Sequence, residues 1–517
     1  MKTMHVQNLL TDNLKKTLKT EISSIKVREN VRYFVINRTV VDKFARELSQ
    51  NKNVILRGIA CFPREDFYKL VYVFSFELIT ESSFFFVSTR LSKKVNTMVS
   101  IRESFVNAEA SETRINNLFD IDFVLLDESV EIEPVYNPIS LESIEPYQPP
   151  HLNGIFNPIH GDAFYFEGES KNNKIIKLNL ADGFLHKRIL KRINKSTPEE
   201  SLRIVQEIAL DTKISYLLGL SLLYEEIFKI DTSNRIKYIR MFRAEFERIV
   251  HHVKWFIDLF FLLQRKIEVN QLIEMHRELV QLEKQYVTPV KKDDLPIEIG
   301  GCHNISPDDA IKMLPIFDEL IEEIFSTLYR NLFYRSCKQE LSKSAVIKKK
   351  QAIDYGICGP ALRASGLFAD ARYTNPYLRY IVGGISNVWS TIALKNGDNF
   401  SRAQARLWEL KESWKICKYI LNDIAQFEEP TAPRKKGKRK YPKNKMIHRC
   451  VEGPRGPIAF IYDSTSKMKN LGAKIYIIPP SLNNFYAIKK IIKPGAAIWD
   501  LKILTHTLDV NFNELDL

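Results

Sequence analysis

Charged residues set inside apolar surroundings are the first feature of this chain that could do chemistry. In "GICGPALRASGLFADARYTNPYLRY", residues 356–380, Arg363, Asp370 and Arg372 alternate in sign among alanines, leucines and glycines. Burying such charges is costly unless they are paired. The segment therefore holds either a salt-bridge network between a loop and helices or the polar wall of a cavity. "EGPRGP", residues 452–457, poses the same choice, because Glu452 and Arg455 sit in a turn stiffened by two prolines and two glycines. They either line a cofactor cavity or pin a corner. In "NPIHGD", residues 157–162, His160 is expected on a hairpin tip or loop. Its imidazole titrates near neutral pH and can give a proton to a bound acceptor or ligate a metal, against the plainer reading of a surface histidine. His186, His251 and His252 meet the same pair of readings.

These residues must be positioned by elements that the residue pattern outlines. From about Val31 to Phe123, short β-branched and aromatic runs such as "KLVYVFSFEL" and "SSFFFVSTRL", with the helical "VVDKFARELSQ" before them, predict a small α+β domain. The acidic, proline-bearing stretch at 127–152 predicts an extended linker. Beyond it, "FYFEGESKNNKIIKLNL" reads as a hairpin and residues 198–341 as mostly helical. "NRIKYIRMFRAEFERIVHHVKWFIDLFFLL" has apolar residues at helical spacing with Arg, Lys and Glu between them, which predicts a long, half-buried helix. "SRAQARLWELKESWKICKYILNDI" predicts another, capped by Asp398, Asn399 or Ser401. Strands return from "IAFIYDS" through "AKIYIIPPS", followed by a short helix and the tail.

Composition narrows the function classes. A chain of 517 residues with 45% hydrophobic and 27% charged residues is globular and expected to form more than one domain. The first residues lack a signal-peptide pattern, and the longest apolar runs fall short of the roughly 20 residues that cross a bilayer as a helix. Six cysteines without a CxxC pair suit reduced thiols in a cytosolic compartment. A net charge of +14 suits an acidic partner without selecting one. The basic stretch "PRKKGKRKYPKNKMIHR", residues 433–449, reads as a nucleic-acid or anionic-lipid site or as a solvated loop. The loop reading is favoured because stacking aromatics are nearly absent from it.

Taken together and in order, the segments resemble one superfamily: the large subunit of membrane-bound, energy-converting NiFe-hydrogenases of the formate hydrogenlyase type and the homologous quinone-site subunit of respiratory complex I. The resemblance runs from about residue 153 to 517. It rests on "GPALRASG" with Asp370, Arg372, Pro376, Tyr377 and Tyr380, on "GDNFSRAQARLWELKES", on "VEGPRG", on "RAEFERIVHH" and on "GFLHKR". "YVFSFELI" and "STRLSKKVNTMVSIRESFVNAEASETRINNLFDIDF" resemble the small α/β subunit that accompanies it in complex I, fused here to the same polypeptide. The resemblance implies an α+β fold in three parts: a small domain over 1–126, the linker over 127–152, and a large, mainly helical domain with peripheral hairpins over 153–517.

A NiFe centre in that superfamily needs two cysteine pairs, because thiolates are the soft, strongly donating ligands that nickel and iron require. No cysteine lies between Cys61 and Cys302, so "RIVQEIALDTKISY" supplies no first pair, and in the tail "HTLDVNFNELDL" the second pair's positions carry Asn511 and Glu514. The expected subunit is therefore nickel-free and holds no metal. The resemblance implies a quinone as acceptor and an iron–sulfur cluster on a small partner subunit. It also implies antiporter-like membrane partners that attach the chain peripherally to the cytoplasmic face of the membrane, with no role for nucleic acid. It places His160, Arg363, Asp370, Arg455 and Glu514 around a cavity, with Arg372 and Glu452 beside them. His160 would donate to the quinone headgroup and Glu514 would carry a proton where a thiolate is lost. The competing expectation is a redox-inactive scaffold or regulatory subunit of such a complex.

Overall fold

The computed structural model describes residues 22–28, 31–77, 82–125, 165–181, 187–288, 294–426, 440–442, 445–464 and 474–515. The linker at 127–152, His160, His186 and most of the basic stretch at 433–449 lie outside the described residues. The architecture is α+β: small sheets at the two ends of the chain and a helical body between them.

The N-terminal module is built on five strands, Ile22–Arg28, Val31–Ile36, Val54–Pro63, Phe67–Glu77 and Ser82–Ser92. The last three form an antiparallel meander, and Val31–Ile36 joins Ser82–Ser92 in parallel. The central strands are apolar on both faces, as strands covered on both sides must be. One face, with Phe34, Leu56 and Phe74, packs on the helices Val41–Ser49 and Ala108–Phe119. The other, with Phe62, Val73 and Phe86, packs on Ile461, Tyr476 and Ile478 of the C-terminal sheet. Asp463 seals this joint: fully buried, it pairs with Lys69 at 2.9 Å and with Arg64.

The expected hairpin forms from Tyr165–Lys171 and Lys174–Ala181, turning at Asn172 and Asn173, both in the left-handed region that a tight hairpin turn demands. In the helical body, Asn234–Leu262 starts on a Ser233 cap and runs 29 residues, about 43 Å at 1.5 Å per residue. It packs along Asn399–Asp423, whose cap is Asp398 accepting from the Ser401 amide. One expectation needs correction. The long helix is buried on nearly all sides, and Arg240, Arg243, Glu245, Glu247 and Arg248 are buried within the protein rather than forming a solvated face. An apolar stripe identifies one packed face, whereas the charged face is packed here because other elements supply counter-charges. The C-terminal sheet, Met446–Gly453, Gly456–Asp463 and Lys474–Ile478, is antiparallel, with Pro454 and Arg455 at its first turn. Two helices rather than one then follow, Ser481–Ile491 and Ile498–Leu508.

Candidate functional site

Two buried charged regions arise where these elements meet. The first centres on Arg363 in the short helix Gly359–Ala364. Its guanidinium donates to Glu409 at 2.6 Å, to Glu452 at 2.7 Å and to the Ala369 carbonyl at 2.9 Å. Arg372 makes a two-point pair with Asp370, at 3.0 and 2.7 Å, and reaches Glu245 at 2.8 Å. Glu245 also accepts from Tyr380 and Ser413, both at 2.6 Å. Arg248 donates to the Glu452 and Gly453 carbonyls, tying the long helix to the sheet turn. Burial opposes charge throughout, yet Arg363 and then His252 hold Glu409 well below the usual carboxylate range, and Arg372 with Arg248 hold Glu245 down. Asp370 is lowered by Arg372 and Arg363 in the same way, whereas burial outweighs Arg363 at Glu452 and raises it.

The second region surrounds Arg455. Its guanidinium pairs with Asp211, donates to Thr212 at 3.1 Å, and approaches Asp509 at 3.3 Å and Glu514 at 3.9 Å. Asn511 donates to Asp211 at 3.3 Å. Glu514 accepts from the Ser481 hydroxyl at 2.5 Å and amide at 3.2 Å. Despite burial, Arg455 and then His251 hold Asp211 well below its ordinary range. Burial raises Glu514 against the pull of Arg455, and it raises the Tyr216 phenol, to which the Glu514 charge adds. Behind this corner, Glu247 accepts from the Ile214 amide at 2.5 Å, the Ser215 amide at 2.9 Å and the Ser215 hydroxyl at 2.5 Å, fastening the start of helix Lys213–Phe228. Burial pushes Glu247 up to about 7 all the same.

A buried chain joins the two regions. Glu409 contacts His252 at 3.2 Å, His252 meets Arg406 at 3.4 Å, and Arg406 pairs with Asp509 at 2.9 Å. Gly359 also brings them together, since at φ +65° a Cβ would collide with the Arg455 carbonyl oxygen. The structure thus places Arg363, Asp370, Arg372 and Glu452 in one cluster and Arg455 and Glu514 in the other. A small cavity, about 40 Å³, touches the first cluster rather than the second: Asp370 and Glu452 line it, with Arg57 and Phe84 of the N-terminal module opposite.

The tail and the stretch 210–216 converge on Arg455: Asp211, Thr212 and Glu514 turn oxygens toward the guanidinium, and Asn511 gives its amide N–H to Asp211. Cys358 lies behind them, its thiol donated to the Pro480 carbonyl at 3.3 Å and pushed by burial to about 12. A guanidinium among carboxylates does not fit a nickel ion that needs four thiolates. Sequence reasoning singled out Arg455 and Glu514 but not Asp211, Glu245, Arg248, Arg406 or Glu409. The available signal was the charge density of "RAEFERIVHH" and "RAQARLWELKES", too rich for helices with such apolar neighbours.

Residues 294–517 match the family model described as the respiratory-chain NADH dehydrogenase 49 kDa subunit. The chain is 27% identical over 371 residues to an NADH-quinone oxidoreductase subunit of Geotalea uraniireducens, covering 65% of this chain and 90% of that one. It is 27% identical over 388 residues to the corresponding NADH-quinone oxidoreductase subunit of Clostridium beijerinckii, covering 71% and 95%. A chain in the structure of the membrane-bound sulfane sulfur reductase, an archaeal respiratory membrane complex, shares the fold with a TM-score of 0.60 at 21% identity, over 70% of this chain and 96% of that one. Among the described residues, no helix is long and apolar enough to cross a membrane.

Proposed function

We propose that the chain is the nickel-free, hydrogenase-like large subunit of a membrane-associated redox complex. Electrons from an iron–sulfur cluster on a small partner subunit would reach a quinone or a similar acceptor, and antiporter-like membrane subunits would couple the transfer to ion movement. The observation that supports it best is the convergence of 210–216 and the tail on Arg455. The two segments that would carry thiolate pairs in a hydrogenase meet here, and they meet through carboxylates and an amide. Similarity to subunits of NADH-quinone oxidoreductases agrees with a quinone as acceptor.

Reducing a quinone to a quinol consumes two electrons and two protons, and the electrons are not this chain's to supply. Its residues would hold the acceptor and move protons. Arg455 would fix the corner, His160 would donate to the headgroup, and Glu514, raised by burial, would hold a proton beside Tyr216. Arg363, Asp370, Arg372 and Glu452 would hold the loops at the right spacing. The purified complex should contain no stoichiometric nickel by elemental analysis, and it should reduce quinone at a rate that His160→Ala and Arg455→Met each lower at least about tenfold. Stoichiometric nickel would overturn the reading.

A second reading, a redox-inactive scaffold, draws on one observation: the Arg455 guanidinium is already committed to Asp211, Thr212 and Asp509. Unchanged quinone turnover in both variants, within an assembled complex, would decide for the scaffold.

A further inference from the structure

Among the described residues, the buried charges around the two clusters do not balance. Along the joined network, seven carboxylates (Glu245, Asp370, Glu409, Glu452, Asp211, Asp509 and Glu514) face five guanidiniums (Arg248, Arg363, Arg372, Arg406 and Arg455). His251 and His252 do not fill the gap, because burial holds both imidazoles low and neutral at physiological pH. A net deficit of two charges in a buried, low-dielectric setting is relieved by binding protons. Two of the seven are raised by burial, and these stand at opposite ends: Glu514, whose guanidinium partner Arg455 is 3.9 Å away, and Glu452, which accepts from Arg363 at 2.7 Å and from the Ala371 amide at 2.9 Å.

Of this pair, Glu452 is the one that borders the cavity. That space, between the N-terminal sheet and the helical body, is lined by Glu452 and Asp370, with Cys358, Cys450, Asn483 and, from the N-terminal module, Arg57 around them. At about 40 Å³ it has room for a few water molecules. Asn483, 94% buried, gives its amide N–H to the Arg57 carbonyl at 3.2 Å, and its side-chain oxygen has no hydrogen-bond partner among the described residues. That oxygen is an acceptor suited to a water. Behind Glu452, Arg363 bridges to Glu409, and Glu409 touches His252, so the carboxyl stands at the outer end of the chain that leads to Arg406 and Asp509.

We propose that Glu452 is a proton-loading site, filled from water held in the cavity beneath the N-terminal sheet, and that this cavity is a proton inlet to the buried charge network. The groups that face Glu452 set its proton balance. Arg363 favours its charged form, Asp370 opposes it, and Arg248 and the Ala371 amide favour it. On the cavity side stand Arg57 and the thiols of Cys358 and Cys450. Use of this proton by an acceptor rests on the redox reading above, whereas its storage does not.

The test is infrared difference spectroscopy on the full chain with its partners, after a pH jump, in H2O and D2O. Wild type should show protonated-carboxyl C=O bands that move to lower frequency in D2O; Glu514 and Glu247 contribute their own, and one further band should be lost in Glu452→Gln. Ala459→Val narrows the cavity without altering any charge; it should keep the band and slow its hydrogen–deuterium exchange at least about tenfold by displacing water. Loss of no band in Glu452→Gln, or wild-type exchange of every band in Ala459→Val, would overturn the proposal. Should Glu452→Gln fail to fold, the exchange rate in Ala459→Val decides alone. A band that behaves as expected in a complex with no quinone turnover supports the proton site and counts against the redox reading only.

Discussion

The Arg363 region and the Arg455 corner use the same residue types to different ends. Around Arg363, each guanidinium is met by directed hydrogen bonds from two or three elements, and most carboxylates are held below their ordinary range. Around Arg455, one guanidinium serves three carboxylates at graded distances, and Glu514 and nearby Glu247 are raised. A densely paired network fixes geometry because its groups have much to lose by moving, even with the Arg363 Nη2 left without a hydrogen bond among the described residues. An under-compensated one keeps protons that can leave. On the proposed reading, positioning and proton chemistry would be divided between neighbouring regions, with Glu452 as the one member of the first that is raised like Glu514 in the second.

The sharpest way to break this contrast is Arg363→Ala, which strands Glu409 and Glu452 in the interior. A loss of about 3–5 kcal/mol in chemical denaturation is expected, and a loss under about 1 kcal/mol would mean that the network is not rigid. Next comes Gly359→Ala, where a Cβ would strike the Arg455 carbonyl in a left-handed backbone. A cost above about 2 kcal/mol is expected, together with perturbed titration of Glu514, because both regions lean on that contact.

Glu247→Gln tests the adjustable side. Its folded carboxyl titrates near 7 against about 4.5 unfolded, so the folded state binds the extra proton between those values. Stability of the wild type should therefore fall as pH rises from 4.5 to 7, and the variant should lack that slope in denaturation midpoints taken across the range. Asp211 has the opposite sign. Its lowered value contributes stability above about pH 4 that is lost as the pH falls further, and Asp211→Asn should flatten that acid limb. The smallest effects come from Ser413→Ala beside Glu245, which removes one short hydrogen bond worth about 1 kcal/mol, and Ser481→Ala beside Glu514, which removes two, the one to Glu514 and the one from the Asn511 amide. A larger stability loss for Ser481→Ala, with a rise in carboxyl titration only there, would sharpen the division; equal rises in both would erase it.

Local chemistry was legible in the residues. Asp398, one of three cap candidates, starts Asn399–Asp423, the hairpin forms over Tyr165–Lys171 and Lys174–Ala181, and the tail carries no thiolate pair. Each depends on contacts within a few positions, where residue type settles the outcome. The amphipathic pattern of Asn234–Leu262 located the helix but misjudged its charged face. A run of Arg and Glu looks the same facing water as it does facing Glu225, Arg372 and the Glu452 carbonyl.

What the sequence determined by itself was therefore where the long helices, the hairpin and the main strand runs lie, and that the tail and the stretch 203–216 carry no cysteine pair. Only the tertiary structure decided which charges became partners. Asp211 reaches Arg455 across 244 positions, and Arg372 reaches Glu245 across 127. At such separations sequence proximity carries no information, and the pairing is fixed by how helices and sheet turns pack. Packing also made the proton imbalance visible, because only the assembled interior shows seven carboxylates set against five guanidiniums and a cavity at one end of them.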